Sequence, residues 1–135
     1  NIPTSFYENL QKGEDFIGEN NQVIKNEILT IALAPPKIYA YCGDTIYYEP
    51  LIDKIKHADL LYHEATYLDV LHAKAYDRFH STAKEAAMIA SKAGVKKLLI
   101  GHFSSKYPEL NEFEIEAREV FLNAELALEG VVYTM

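Results

Sequence analysis

A single cysteine, Cys42, stands among 135 residues. No internal disulfide can form, no cysteine-rich zinc knuckle can be built, and such usage fits a reducing cytoplasm. Long apolar runs are missing too, since none approaches the ~20 residues that a membrane-spanning helix needs. The N-terminus carries neither the charged nor the apolar region of a secretory signal. Excess positive charge is absent: the formal net charge is −7. That argues against a protein that coats nucleic acid with a broad basic face, though not against an enzyme acting on nucleic acid at one local site. No repeat, low-complexity tract or Pro/Gly-rich linker divides the chain, and no glycine-rich phosphate loop occurs. The five histidines include no H-x-H or H-x-x-x-H pair. The chain opens "NIPTSFYENL" without methionine, which fits a processed product, a segment, or the later part of a longer protein.

What is present is an ordinary globular composition, 49% hydrophobic and 24% charged, enough to build one core in one domain over 1–135. "PTSFYENLQKGE" predicts a short helix capped by Thr4 or Ser5 and stopped at Gly13. "QVIKNEILTIAL" predicts one or two strands, and "APP", Ala34 to Pro36, interrupts regular structure. An alternation follows. "KIYAYCGDT" reads as a strand, "EPLIDKIKHA" as a helix, "DLLYHEAT" as a strand and Leu68 to Tyr76 as a helix. "STAKEAAMIASKAG" carries a stronger helix signal, with a Thr82/Glu85 capping box, an alanine face and a stop at Gly94. "VKKLLIGH" predicts a buried strand, "NEFEIEAREVFLNAELALEG" a long helix, and "VVYT" a final strand. Strands alternating with helices predict the α/β class with parallel strands.

Three strands end in polar clusters: "GDT", "HEAT" and "GHFSSKY". Ligand sites in open α/β sheets gather beyond the carboxyl ends of strands, which places Asp44, Glu64 and His102 along one rim. His80, before the "STAKEAA" helix, begins near that rim. Singly, each has a plain structural reading: Asp44 as a turn residue, His102 as a packed or hydrogen-bonded side chain. Glu64 ending an apolar strand demands a partner or water. His63 points to the opposite face and reads as structural, while His57 and His72 read as solvated. An aspartate and a histidine suit zinc or a similar divalent ion, but two ligands fall short of the three that a catalytic zinc takes.

"YCGDT", "LLYHEAT", "AYDRFHSTAKEAA" and "LLIGHFSSKY", in that order, resemble the C-terminal half of the ribonuclease Z family, endonucleases that trim the 3′ trailer from precursor tRNA on a metallo-β-lactamase (αββα sandwich) fold. The resemblance implies roles. Asp44 becomes the carboxylate bridging two metal ions, zinc with manganese or magnesium as alternatives, and His102 a terminal metal ligand. His80 matches the histidine of the family's A-x-D-x-G-H-S motif, which acts near the scissile phosphate, and Glu64 orients it. Phe79 stands where that motif has glycine. The family's H-x-H-x-D-H metal motif and tRNA-binding arm belong to an N-terminal half that this sequence does not contain. The chain is therefore expected to be an inactive portion on its own, with precursor tRNA and that N-terminal half as partners, and with homodimer formation through the face the half would cover.

For His80 the physical expectation is that backbone N–H groups at the start of the following helix hold a phosphate oxygen, while a protonated imidazole stabilises the transition state or protonates the leaving 3′ oxygen. Ser81, Ser104, Ser105 and Lys106 are further candidates for phosphate contact, equally readable as caps or surface residues. The competing readings are a metallo-β-lactamase-fold phosphodiesterase of another substrate and a non-catalytic portion that self-associates.

Overall fold

The computed structural model describes residues 2–31 and 34–135, and the chain packs as two compact units, Asn1–Pro36 and Lys37–Met135. In the first unit, a 3₁₀ turn at Thr4–Phe6 leads into helix α1, Tyr7–Gln11. Gly13, at φ 88°, ends it. Strands β1, Phe16–Ile17, and β2, Val23–Ile24, form an antiparallel hairpin. Past Val23–Ile24 the expected strand gives way to a helical turn, α2, Asn26–Leu29. The reason is local hydrogen bonding: the Asn26 N–H donates to Asp15 Oδ1 at 2.8 Å, and its side-chain amide donates to the carbonyls of Leu10 and Glu14. The last part of that expected strand, Ala32 and Leu33, lies outside the described residues.

The second unit carries the α/β alternation. Strand β3, Tyr39–Cys42, is followed by a 3₁₀ turn at Glu49–Leu51 and helix α3, Ile52–Ile55. Strand β4, Leu60–Glu64, leads through another 3₁₀ turn to helix α4, His72–Asp77, and then helix α5, Ala83–Ala93. Strand β5, Leu98–Gly101, precedes helix α6, Asn111–Val120, and strand β6, Ala124–Leu126. The sheet runs β3-β4-β5-β6 with every neighbouring pair parallel. No described helix is long and apolar enough to cross a membrane.

Strand alternation puts Leu61, Leu98 and Ile100 on one face, where they form a core with the buried alanines of α5 and with Phe113 and Ala117 of α6. Alanine on α5 lets the helix backbone lie close to the sheet. Burying each of the large aliphatic side chains contributes ~1.5–3 kcal/mol. At the far end of β5, Gly101 is dictated by a neighbour: a Cβ there would come 2.5 Å from the Tyr62 hydroxyl.

Two expectations at the C-terminus are corrected. The predicted long helix over Asn111 to Gly130 stops at Val120, and Ala124–Leu126 becomes a strand. Helix-forming residues there are overruled by the open edge of β5, whose polar groups need partners. The Leu98 N–H donates to Asn123 O at 3.0 Å, and Ala127 N–H donates to Ile100 O at 2.7 Å. "VVYT" is not a strand. It folds back through the Tyr133 hydroxyl, which donates to Leu126 O and accepts from the Leu128 N–H.

Candidate metal centre

Register places the carboxyl ends of three strands side by side, with Cys42 opposite His63 and Glu64 opposite Gly101. The chain leaves each strand into a polar loop, which brings Asp44, Thr66 and His102 together. His80 arrives from the loop between α4 and α5. Among the described residues, Asp44, His80 and His102 form one group whose donor atoms all lie within 4.8 Å of one another. His102 Nε2 stands 3.2 Å from Asp44 Oδ1, and the two imidazole rings are 5.3 Å apart.

The backbone is strained where these residues sit. Five described non-glycine residues have left-handed φ. Two are Asp44 and His102, at 48° and 61°, and a third, Phe79 at 58°, directly precedes His80. Such conformations cost energy and persist where surrounding structure over-determines them.

Glu64 ties down the residues beside them. It is fully buried, and its carboxylate accepts from five donors. Oε1 receives His80 Nδ1 at 2.8 Å, the Ser81 N–H at 3.1 Å and the Thr45 N–H at 3.2 Å. Oε2 receives the Thr66 N–H at 3.0 Å and the Thr66 hydroxyl at 2.9 Å. The partner that a carboxylate needs at the end of an apolar strand is thus supplied several times over. Thr45 adjoins Asp44, and the Thr66 hydroxyl also meets His102 Nδ1 at 2.9 Å. One carboxylate therefore braces all three members of the group.

His63 points into the core, donating from Nδ1 to Glu64 O at 2.7 Å. Its Nε2 has no partner among the described residues, and burial pushes the ring's pKa down. His72 pairs with Glu85 at 3.1 Å, and neither it nor His57 belongs to the group.

The expected phosphate cradle at the start of α5 is not there, because its donors are spent. The Thr82 N–H donates to Glu85 Oε2, Ala83 to Tyr67 O, Lys84 to Glu116 Oε1, and Glu85 to Thr82 Oγ1. The capping box and a glutamate from α6 close the helix end. Ser81 is also removed from the candidates for phosphate contact: it is fully buried and its hydroxyl donates to Thr45 O at 2.6 Å. Lys106 stays outside, its ammonium 5.0 Å from the Tyr67 ring and 4.5 Å from the Tyr107 ring. Ser104 and Ser105 line an open cleft of ≈ 390 Å³ beside His102.

The Asp44–His102 pair fits two ligands of one divalent ion. Two carboxylate or imidazole ligands of tetrahedral zinc, each about 2.0–2.1 Å from the metal, lie roughly 3.3 Å apart, and the Asp44–His102 separation is 3.2 Å. One carboxylate oxygen and two imidazole nitrogens are donor types that divalent ions accept.

No family model matches the chain. It is 42% identical over 130 residues to the ribonuclease Z of Parabacteroides distasonis, an alignment covering 96% of this chain and 43% of that protein. It is 45% identical over 121 residues to the ribonuclease Z of Porphyromonas gingivalis, covering 90% and 40%. The chain thus spans about two fifths of the length of these curated relatives. Among solved structures, the metallo-β-lactamase fold protein YhfI of Bacillus subtilis matches with a TM-score of 0.65 and 27% identity, over 70% of this chain and 38% of that one. The short form of human tRNase Z matches with a TM-score of 0.50 and 30% identity, over 64% and 28%. The parallel sheet with its helices is part of a metallo-β-lactamase fold.

Proposed function

We propose that this chain, a homologue of ribonuclease Z along almost its whole length, is the C-terminal portion of a metal-dependent endoribonuclease that removes the 3′ trailer from precursor tRNA. The observation that carries the reading is the convergence of Asp44, His80 and His102 around the buried Glu64. Asp44 Oδ1 and His102 Nε2 would hold the cation, zinc by preference, with manganese or magnesium as alternatives. When bound, divalent ions supply Lewis acidity toward a phosphoryl oxygen and acidify water. A second ion needs donors beyond this group, and an N-terminal half is their proposed source. Precursor tRNA as substrate, with cytoplasmic action, belongs to the same reading, as does a homodimer, checked by size in solution.

His80 is the proposed proton donor. Glu64 gives its Nδ1–H a fixed acceptor, so the nitrogen that gains and loses a proton is Nε2. As water adds to phosphorus, gives up a proton to solvent and the bond to the 3′ oxygen breaks, Nε2 passes its proton to that oxygen. General acids of this kind contribute ~10²–10⁴-fold. In the full-length enzyme, His80→Ala should lower kcat on precursor tRNA by at least about a hundredfold, and a loss below about tenfold sinks the assignment.

A second reading makes His80 Nε2 a third metal ligand, favoured by its place in the same donor group. Zinc binding by the isolated chain separates the two. If His80 is the acid, His80→Ala leaves zinc affinity close to that of the unaltered chain, while Asp44→Asn and His102→Ala reduce it. If His80 is a ligand, all three fall together.

A further inference from the structure

We infer that Thr66 is a positioning residue that fixes His102 in the tautomer with Nδ1 protonated and Nε2 bare, through a relay running Glu64–Thr66–His102. The inference rests on hydrogen-bond polarity. A threonine hydroxyl has one hydrogen and can also accept. Glu64 is surrounded by donors, so its Oε2, 2.9 Å from Thr66 Oγ1, takes that hydrogen. The Thr66 oxygen is left as an acceptor, and the group it meets at 2.9 Å is His102 Nδ1. Nδ1 must then carry the proton. A bare Nδ1 would set lone pair against lone pair.

Thr66 is held well enough to impose this choice. It is 6% exposed, and its χ1 is stiff because it is β-branched. Its own N–H is tied to Glu64 Oε2 at 3.0 Å, and its carbonyl accepts from the Ser104 N–H at 3.1 Å. The latter bond clamps the loop that carries His102 on its other side.

The relay excludes a competing arrangement. His102 Nε2 lies 3.2 Å from Asp44 Oδ1. With its proton on Nε2, the ring would turn an N–H rather than a lone pair toward the side where Asp44 stands. By holding the proton on Nδ1, Thr66 keeps His102 Nε2 as a lone pair 3.2 Å from Asp44 Oδ1. In the terms of the proposed function, on which the metal half of the inference depends, the same buried carboxylate orients His80 directly and His102 at one remove.

The test is histidine-ring ¹⁵N NMR on the metal-free chain at about pH 8, above the ordinary imidazole range near ~6.5, for the unaltered chain, Thr66→Val and Thr66→Ser. The expected result is Nδ1–H in the unaltered chain, Nε2–H in Thr66→Val, and Nδ1–H restored by serine. Nε2–H in the unaltered chain overturns the relay whether or not the valine variant folds, and so does Nδ1–H in a folded Thr66→Val. Calorimetric titration with zinc is the second readout. Loss of an outer hydrogen bond to a metal-ligating histidine costs ~10–100-fold in affinity, so Thr66→Val should bind that much more weakly and Thr66→Ser should recover. Equal affinity in all three overturns the positioning role. The tautomer switch with no zinc bound by any chain supports the relay and shows that Asp44 and His102 hold no ion without donors from an N-terminal half.

Discussion

Phe79 pays for its position before His80 with a left-handed backbone at φ 58°, a conformation that costs a residue with a Cβ about 1–2 kcal/mol. Its ring offers little in return, being 73% exposed. The bend itself is needed: the Phe79 N–H donates to Tyr76 O and the His80 N–H to Ala75 O at 2.9 Å, which turns the chain off α4 and aims His80 at Glu64. Glycine adopts the same bend without the steric cost but loses more freedom on folding. Phe79→Gly should therefore stabilise the chain by up to about 1 kcal/mol, read as a rise in the urea unfolding midpoint. A fall would mean that the ring makes a contribution that its exposure conceals. The bend at Phe79 thus brings His80 to Glu64 at a cost carried by the backbone.

Helix α5 shows how a local signal becomes an element. Thr82 and Glu85 make both bonds of the capping box, and Gly94 closes the other end at φ 61°. Thr82→Ala should cost about 1 kcal/mol, within the ~0.5–2 kcal/mol range for lost caps, measured by urea unfolding; no change would show that Glu116 closes the helix end alone. This helix was legible because its start, face and stop lie within fourteen consecutive residues. Strand β6 was not, because the groups that select it belong to β5, and the same residues satisfy a helical pattern by themselves. The site divides likewise. Asp44, Glu64, His80 and His102 stand out as polar residues where apolar strands end or a helix begins. Thr45, Thr66 and Glu116 do not, since their bonds to Glu64, His102 and Lys84 leave no mark on spacing. Thr66 had one available signal, its place two residues beyond Glu64.

Across the second unit, the site occupies one end of the sheet and an ionic clamp holds the other. Asp59, just before β4, accepts from the Ile38 N–H at 2.8 Å and pairs with Lys96 at 2.8 Å and Lys37 at 3.5 Å. Lys96 and the Ile38 N–H together bring its pKa from 3.8 down to about 2. A carboxyl lowered on folding stabilises the native state above its unfolded pKa, and that stability drains away as pH falls through the folded value. The clamp should therefore be fully effective above pH 3.8 and fail toward about pH 2. Thermal unfolding between those limits should decline more steeply for the unaltered chain than for Asp59→Asn, and parallel curves would remove Asp59 from the cause.

The closed N-terminus of α5 has a consequence for competition among solutes. An open helix end attracts any small anion, including the free phosphate and sulfate that surround an enzyme in a cell or a buffer. Here those N–H groups are committed to glutamates, a hydroxyl and a carbonyl, while Asp44 and Glu64 add negative charge nearby. The helix end accordingly offers inorganic anions no free N–H donors among residues 82–85. Background salt therefore gains no foothold through the start of this helix.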